Sequence, residues 1–590
     1  MKLFLRVVLL GAALAALATP ACYPDGGAGT DPPTETFYFP TGLAVSAGGN
    51  VLYAVNSDFD LQWNGGTLQS YNLFQIRQDT AALVQSNLAG TAPPPNIPFL
   101  TPWASFDDGG QPLCPNNTAI PANNGEGLGV LLGTACAPPV DSTQYVRDSA
   151  TIGAFATDLQ LSTNGGTRLF APVSGNATVT WADVSYDDPT AAPPQPSDTA
   201  ATFPPFSMNC TQPPGPFTSP GPVGRLCDSN HQTGNDPNSL ANTRNSTLPG
   251  EPFGLAQTQD GSAMAVTSET DTKTSLLTTG LGATASIADQ PTMQFVMTGM
   301  PNGGVGLASI PHDAAAGTPL CEYDGDQPPC LRQAFLETNR STAEVDLLRY
   351  YDDDGSSLRR PYLQREGVTP ISTNTSGSDS RGIAIDPTPR LQCELNKLDT
   401  MQNCAQLPAR VFIASRAPAS LIVGVLGQPS LSGDGTYDPD QLVLLGNVPM
   451  TNGPSKVYLA PIVMADQDGV ARYYLRVFVV CFDSNSIFVY DPVSLMSLNA
   501  QPEAIIYTGL GPYAMAFDPF SMNDVAINNP VPIDSRQPAS LALRQYRFAY
   551  LASFTRSYLQ VIDLDDSAAS TDTFESIVFT LGQPTPPKGT

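Results

Sequence analysis

Four acidic turns are places where oxygen ligands could gather: Asp352-Asp353-Asp354-Gly355, Asp324-Gly325-Asp326, Asp466-Gln467-Asp468-Gly469 and Asp434-Gly435. Closely spaced carboxylates with carbonyl oxygens at a glycine turn are the donor set that calcium prefers. Calcium is therefore the one cofactor the chain points to, with Asp352, Asp354, Asp466 and Asp468 as candidate ligands. None of these turns is followed by the glutamate that closes an EF-hand loop, and Asp-Gly is ordinary turn chemistry, so solvated turns are the favoured reading and calcium the alternative.

The ten cysteines carry a second kind of chemistry. After Cys22 they fall as Cys114/Cys136, Cys210/Cys227, Cys321/Cys330 and Cys393/Cys404, with Cys481 alone. Each pair lies in a Pro/Asn/Gly/Asp-rich stretch that cannot order itself by packing, so local disulfides are expected. A metal site is the poorer alternative, because there is no CxxC pair with a second thiolate pair beside it and no CxxCH haem attachment. Cys481 sits in the apolar run Val477-Phe478-Val479-Val480-Cys481-Phe482 and reads as a small buried hydrophobe. The only histidines, His231 and His312, read as loop residues, and their number excludes multi-histidine metal sites.

Catalytic signatures are sparse. The chain has no GxSxG elbow, no HExxH and no GxxxxGK[ST] phosphate loop. Gly125-Glu126-Gly127-Leu128-Gly129 does not follow a clear strand and reads as a loop. Composition narrows the classes further. The 590 residues include 50 glycines and 57 prolines, about 18% of the chain where roughly 12% is ordinary, so turns are frequent. Net charge is −27 with only five lysines, which leaves no basic surface to neutralise a phosphate backbone, so nucleic acid is excluded as a partner. At 41% hydrophobic residues the chain is no disordered acidic tail.

The N-terminus is an address. Lys2 and Arg6 precede the apolar run Val7–Leu17, and small residues lead to Cys22; residues 1–21 read as a secretory signal. Leu17-Ala18-Thr19-Pro20-Ala21-Cys22 resembles a bacterial lipobox, with Thr19 in place of the usual leucine and Pro20 atypical. The resemblance implies lipidation of Cys22 and a Gly/Pro-rich tether over residues 22–36. The other reading is an ordinary cleaved signal with Cys22 merely near the cut. By resemblance to lipoprotein sorting, Tyr23 after the cysteine implies attachment to the outer membrane, with the domain in the periplasm or at the surface.

The elements that position all this form a repeat. A phrase of the type Pro/Gly-x-Gly-Leu-Ala opens at Pro40, at Gly153-Ala154-Phe155-Ala156, at Pro252, at Gly303-Gly304, at Arg381-Gly382, at Gly453-Pro454 and at Gly511-Pro512. Each is followed by a near-continuous apolar strand such as Val51–Asn56, Val411–Ser415 or Phe548–Ala552. Short alternating strands beside strands apolar on both faces fit small sheets stacked face to face around an axis. These segments resemble the YVTN/NHL-like and lactonase-like seven-bladed β-propellers.

The expected fold is thus all-β: a seven-bladed β-propeller over 37–582, followed by a tail at 583–590. The strand Glu575–Gly582 is expected to meet the first repeat and close the ring between the chain ends. Stretches 310–333, 387–409, 460–475 and 519–546 each separate the first two strands of a repeat, which places them on one face as insertions. Longer additions at 76–150 and 187–250 follow the first two blades. The function this implies is a monomeric, lipid-anchored, non-catalytic binding or scaffolding module of the cell envelope, engaging a protein, peptide or glycan through its loops. The alternatives are a scaffold for outer-membrane assembly, or a lactonase-like hydrolase or quinoprotein-like oxidoreductase with an axial metal site.

Overall fold

The computed structural model describes residues 30–88, 94–100, 139–202, 204–211, 225–238, 242–282, 289–312, 321–322, 330, 332–352, 360–371, 379–397, 404, 407–427, 440–532, 547–567 and 573–583. Cys22, Cys114, Cys136 and Asp354 lie outside them, as do the signal segment and residues 584–590. Among the described residues no helix is long and apolar enough to cross a membrane.

Seven antiparallel sheets follow one another along the chain, each with strands added outward from an axis. The inner strands are Pro40–Val45, Gln160–Leu161, Pro252–Gln257, Gly304–Ser309, Ser380–Asp386, Pro454–Ala465 and Pro512–Phe517. Each packs beside the next, and the last returns to the first. The chain is a seven-bladed β-propeller.

The second strand of each blade is sandwiched between neighbouring sheets, which is why its residues are apolar on both faces. Val477, Phe478, Val479 and Val480 are all fully buried. Burial of such side chains stabilises by about 1.5–3 kcal/mol each, so the cores lie between blades as much as within them. Cys481 ends this strand buried and unpaired, and burial pushes its thiol up to about 12.

Closure occurs between the chain ends. Phe37 stacks on Tyr71 with ring centroids 4.9 Å apart and shares a core cluster with Leu559, Val578 and Leu581 of the last blade. The Phe39 amide donates to Ser557 Oγ at 3.1 Å. A latch adds to this: Pro139–Val140 pairs in parallel with the C-terminal strand Ser576–Leu581, and the Gly582 amide donates to the Val140 carbonyl at 2.9 Å.

Three expectations need correction. The inner strand of blade 2 is not at 153–156 but at Gln160–Leu161, because Ala156 makes only an isolated bridge to Val173. Residues 460–475 are not a loop; Pro454–Ala465 and Ala471–Cys481 run on as a long hairpin paired from end to end. The additions at 76–150 and 187–250 do not follow finished blades. The first precedes and enters blade 1's fourth strand, Val146–Ile152, and the second supplies Met208–Asn209 and Gln232–Thr233 to the outer edge of blade 2. The second addition also lends Arg225–Leu226, parallel to the outer strand of blade 1.

Candidate functional site

The inner strands carry a β-bulge at a common place, between Pro40 and Gly42, Pro252 and Leu255, Gly304 and Gly306, Ser380 and Ile383, Pro454 and Lys456, and Pro512 and Ala514. A bulge bends the strand and re-aims its side chains, here at the narrowest part of the ring. The residue after the bulge is glycine in four blades because the neighbouring backbone is in contact with it. A Cβ on Gly306 would overlap the Arg381 carbonyl oxygen, and one on Gly382 would come 2.6 Å from Lys456 Cα.

Blades 2 and 6 depart from this rule. At the glycine position they carry Asp158 and Lys456, and two residues on, where the other five blades have Ala44, Ala256, Ala308, Ala384 and Ala516, they carry Gln160 and Tyr458. The two charges meet across the axis: Lys456 Nζ lies 3.3 Å from Asp158 Oδ1, with side chains 20% and 26% exposed. The ammonium also stands 4.8 Å above the Tyr513 ring. Burial works against its charge, but Asp158, Tyr458 and Tyr513 together raise its pKa above the ordinary lysine value. Burial likewise raises the Tyr458 and Tyr513 hydroxyls. Tyr458 OH accepts the Met515 amide at 3.2 Å, and Gln160 Nε2 donates to the Leu255 carbonyl at 2.5 Å.

The cavity on the axis, about 330 Å³, takes lining residues from all seven inner strands. Besides the pair, its polar groups include Arg381, whose Nε and Nη2 donate to Asp379 at 2.9 and 3.1 Å. An acid, two bases and two phenols beside aliphatic walls can bind a small polar ligand by hydrogen bonds and charge.

The insertions gather on one face and are tied together there. Helix Thr388–Leu395 of blade 5 lies against helix Met522–Ala526 of blade 7. Arg390 donates from Nη1 to the Pro311 carbonyl at 3.0 Å, from Nε to Leu407 O at 2.7 Å and from Nη2 to Leu426 O at 2.8 Å; burial lowers its pKa to about 10. His312 Nε2 is 2.9 Å from Asp440 Oδ2, the same oxygen that accepts Arg349 Nη1 at 3.2 Å. Burial pushes the Asp440 carboxyl upward, but His312 and Arg349 outweigh it and hold its pKa below the ordinary value. His231 is buried, with Nδ1 2.9 Å from Asp228 and its ring 4.2 Å from that of Trp181, and burial lowers its pKa. Both histidines therefore fasten loops to the ring.

Disulfides join Cys210 to Cys227, Cys321 to Cys330 and Cys393 to Cys404, the partners expected. Asp466 caps the hairpin turn: Oδ1 accepts the Asp468 and Val470 amides at 2.9 and 2.8 Å, and Oδ2 accepts Arg472 Nε at 2.5 Å. The Asp352 amide donates to the Cys321 carbonyl at 3.3 Å. Among the described residues no three His, Cys, Asp or Glu side chains gather closely enough to hold a metal ion.

No family model matches the chain, and no curated protein matches it. Solved structures do. A protein assigned as a 6-phosphogluconolactonase from Bacteroides uniformis is 12% identical, with 80% of this chain and 86% of that one covered and a TM-score of 0.36. The periplasmic gluconolactonase PpgL of Pseudomonas aeruginosa is 13% identical over 69% of this chain and 86% of that one, TM-score 0.26. The β-propeller domain of Cps50 (Swd1) from Myceliophteria thermophila is 7% identical over 92% and 96%, TM-score 0.34. At these values the likeness decides nothing about chemistry, and the architecture rests on the seven sheets themselves.

Proposed function

We propose that the chain is a lipid-anchored recognition module of the cell envelope, held through Cys22, whose inserted loops present a preformed, non-catalytic surface to an envelope protein, peptide or glycan. The observation that carries this reading is the Arg390 node. One guanidinium bonds carbonyls of the blade 4 insertion and of blade 5, in a face further braced by two packed helices and two disulfides. Loops fastened in this way lose little entropy on binding, which is what a recognition surface requires. The axial carboxylate Asp158 is engaged by Lys456 across the channel, an arrangement that favours binding over acid–base chemistry there.

The test is site-specific photo-crosslinking in whole cells. Leu395 and Leu407 are exposed on the insertion face, and Tyr507 is exposed on the outer strand of blade 6. A discrete adduct from the first two positions and none from the third supports the reading; adducts from all three alike, or from Tyr507 alone, reject it. Fractionation of Cys22→Ser, expected to move the protein out of the membrane pellet, tests the anchor separately.

A further inference from the structure

The described part of the expected tether, residues 30–36, is fixed to the ring. The Thr30 carbonyl accepts the Asn64 amide at 3.0 Å, and Gln69 Nε2 donates to the carbonyls of Pro33 at 3.3 Å and Thr36 at 3.2 Å. Residues 30–37 are thereby bound to blade 1, and seven residues separate Cys22 from Thr30, eight Cα–Cα steps with a reach of at most about 28 Å. A lipid on Cys22 would hold the ring close to the bilayer, with the 57–65 turn of blade 1, to which Thr30 is bonded, nearest to it.

That turn displays apolar side chains. Phe59 is 57% exposed and Leu61 53%. Phe59 is backed by Phe554 at 5.3 Å and by Phe39 and Phe155, each at 6.0 Å between centroids, and Trp63 stands edge-on to Tyr38 at 5.9 Å. Phe39, Leu61 and Phe155 have φ of 46°, 54° and 59°, left-handed values that bulky residues rarely adopt. Exposed phenylalanine and leucine flanked by tryptophan and tyrosine have the composition of a contact with the headgroup region of a bilayer. The turn joins the second and third strands, so it lies at the end of the ring opposite the connections that carry the insertions.

We infer that this aromatic turn seats the propeller on the bilayer that holds its anchor, with Phe59 and Leu61 entering the headgroup–acyl boundary and the insertion face directed away from the membrane. The inference rests on the reading of Cys22 as lipidated. The short linker keeps the turn at high local concentration over the surface, so modest apolar burial is enough to dock it. At −27 the chain suits zwitterionic rather than anionic headgroups.

The test recreates the anchor chemically. Unlipidated chain beginning at Cys22, in a Trp103→Phe background, is coupled through that thiol to a maleimide lipid in phosphatidylcholine vesicles with brominated acyl chains; among the described residues the free thiol, Cys481, is buried. Trp181 is also buried, so Trp63 reports on the turn. Bromolipid quenching of Trp63 is expected in the parent protein, absent in Trp63→Phe, and in Phe59→Ser/Leu61→Ser the docked fraction should fall roughly tenfold. Equal quenching with and without the two apolar side chains, or none in the parent, overturns the inference, as does a protein adduct from a crosslinker at position 59 without quenching. Mass analysis of the Cys22 peptide from cells is independent: an unmodified thiol sinks the anchor reading and leaves the vesicle result standing.

Discussion

Lys456 reaches across the propeller axis to Asp158, placing Nζ 3.3 Å from Oδ1 and joining the sixth blade to the second. The two residues are 298 positions apart and occupy the same place in their repeats, where four other blades have glycine and one has alanine. Blades 2 and 6 flank the pair of blades at which the ring closes. The contact is therefore a strut across the channel close to the closing seam.

The strut should couple measurably. Both side chains retain some solvent, so removing either partner should cost about 1–2 kcal/mol, less than the 3–5 kcal/mol typical of fully buried pairs. Asp158→Ala, Lys456→Ala and the double variant form a cycle in which the double variant should be more stable than the two single losses summed. Denaturant titration checks this; additive losses would mean the two groups act independently.

Gly306 sets how closely two inner strands approach. Gly306→Ala places a methyl on the Arg381 carbonyl, which cannot move without shifting blade 5, so a loss of about 3 kcal/mol is expected. At Gly250 a Cβ would meet nothing within 4 Å, and Gly250→Ala should be neutral or slightly stabilising. Thermal unfolding of the two variants side by side separates crowding from loss of glycine itself.

Residues of this kind explain what could be read in advance. Strands such as Val51–Asn56 and Phe548–Ser553 announce themselves because burial on both faces demands continuous apolar residues, and the repeat phrase marks the bulge carried by the inner strands of six blades. The local disulfides were legible from spacing because short loops offer few partners. Asp158 was hidden, since the inner strand of blade 2 shrinks to two residues and the repeat could not be aligned through it. Lys456 stood in an aligned copy, and its departure from glycine was the available signal, but which charge it would face depends on the order of blades around the ring. Arg390 could not be foreseen because its acceptors are carbonyls, which leave no mark on composition.

Glu337 should make the protein less stable as pH rises. It is buried at the interface of blades 3 and 4, accepts Thr274 Oγ1 at 2.7 Å and lies near Asp346; burial above all pushes its carboxyl from 4.5 up to about 8. The folded state therefore holds a proton that the unfolded chain releases near pH 4.5. The contribution of this group to stability is complete below that value, declines between about 4.5 and 8, and is constant above. Glu337→Gln removes the dependence, so its advantage over the parent should grow on the order of 3 kcal/mol from pH 5 to pH 8. Melting temperatures at those two pH values decide it; a constant difference would show that Glu337 is ionised in the fold.

The N-terminal segment should be part of the ring rather than a free leader to it. Phe37 is 4% exposed between the first and last blades, whereas Phe59, 22 residues on, is 57% exposed at the ring's surface. Deleting the buried ring leaves a cavity at the closing seam, so Phe37→Ala should cost about 3 kcal/mol, while Phe59→Ala should change stability by less than about 0.5 kcal/mol. Because Phe37 touches both chain ends, its loss should also raise amide exchange at Gly582, whose N–H is bonded to the Val140 carbonyl in the latch. Exchange at Gly582 that matches the parent protein, together with a small stability loss, would mean that the latch closes the ring without help from the segment beginning at Thr30.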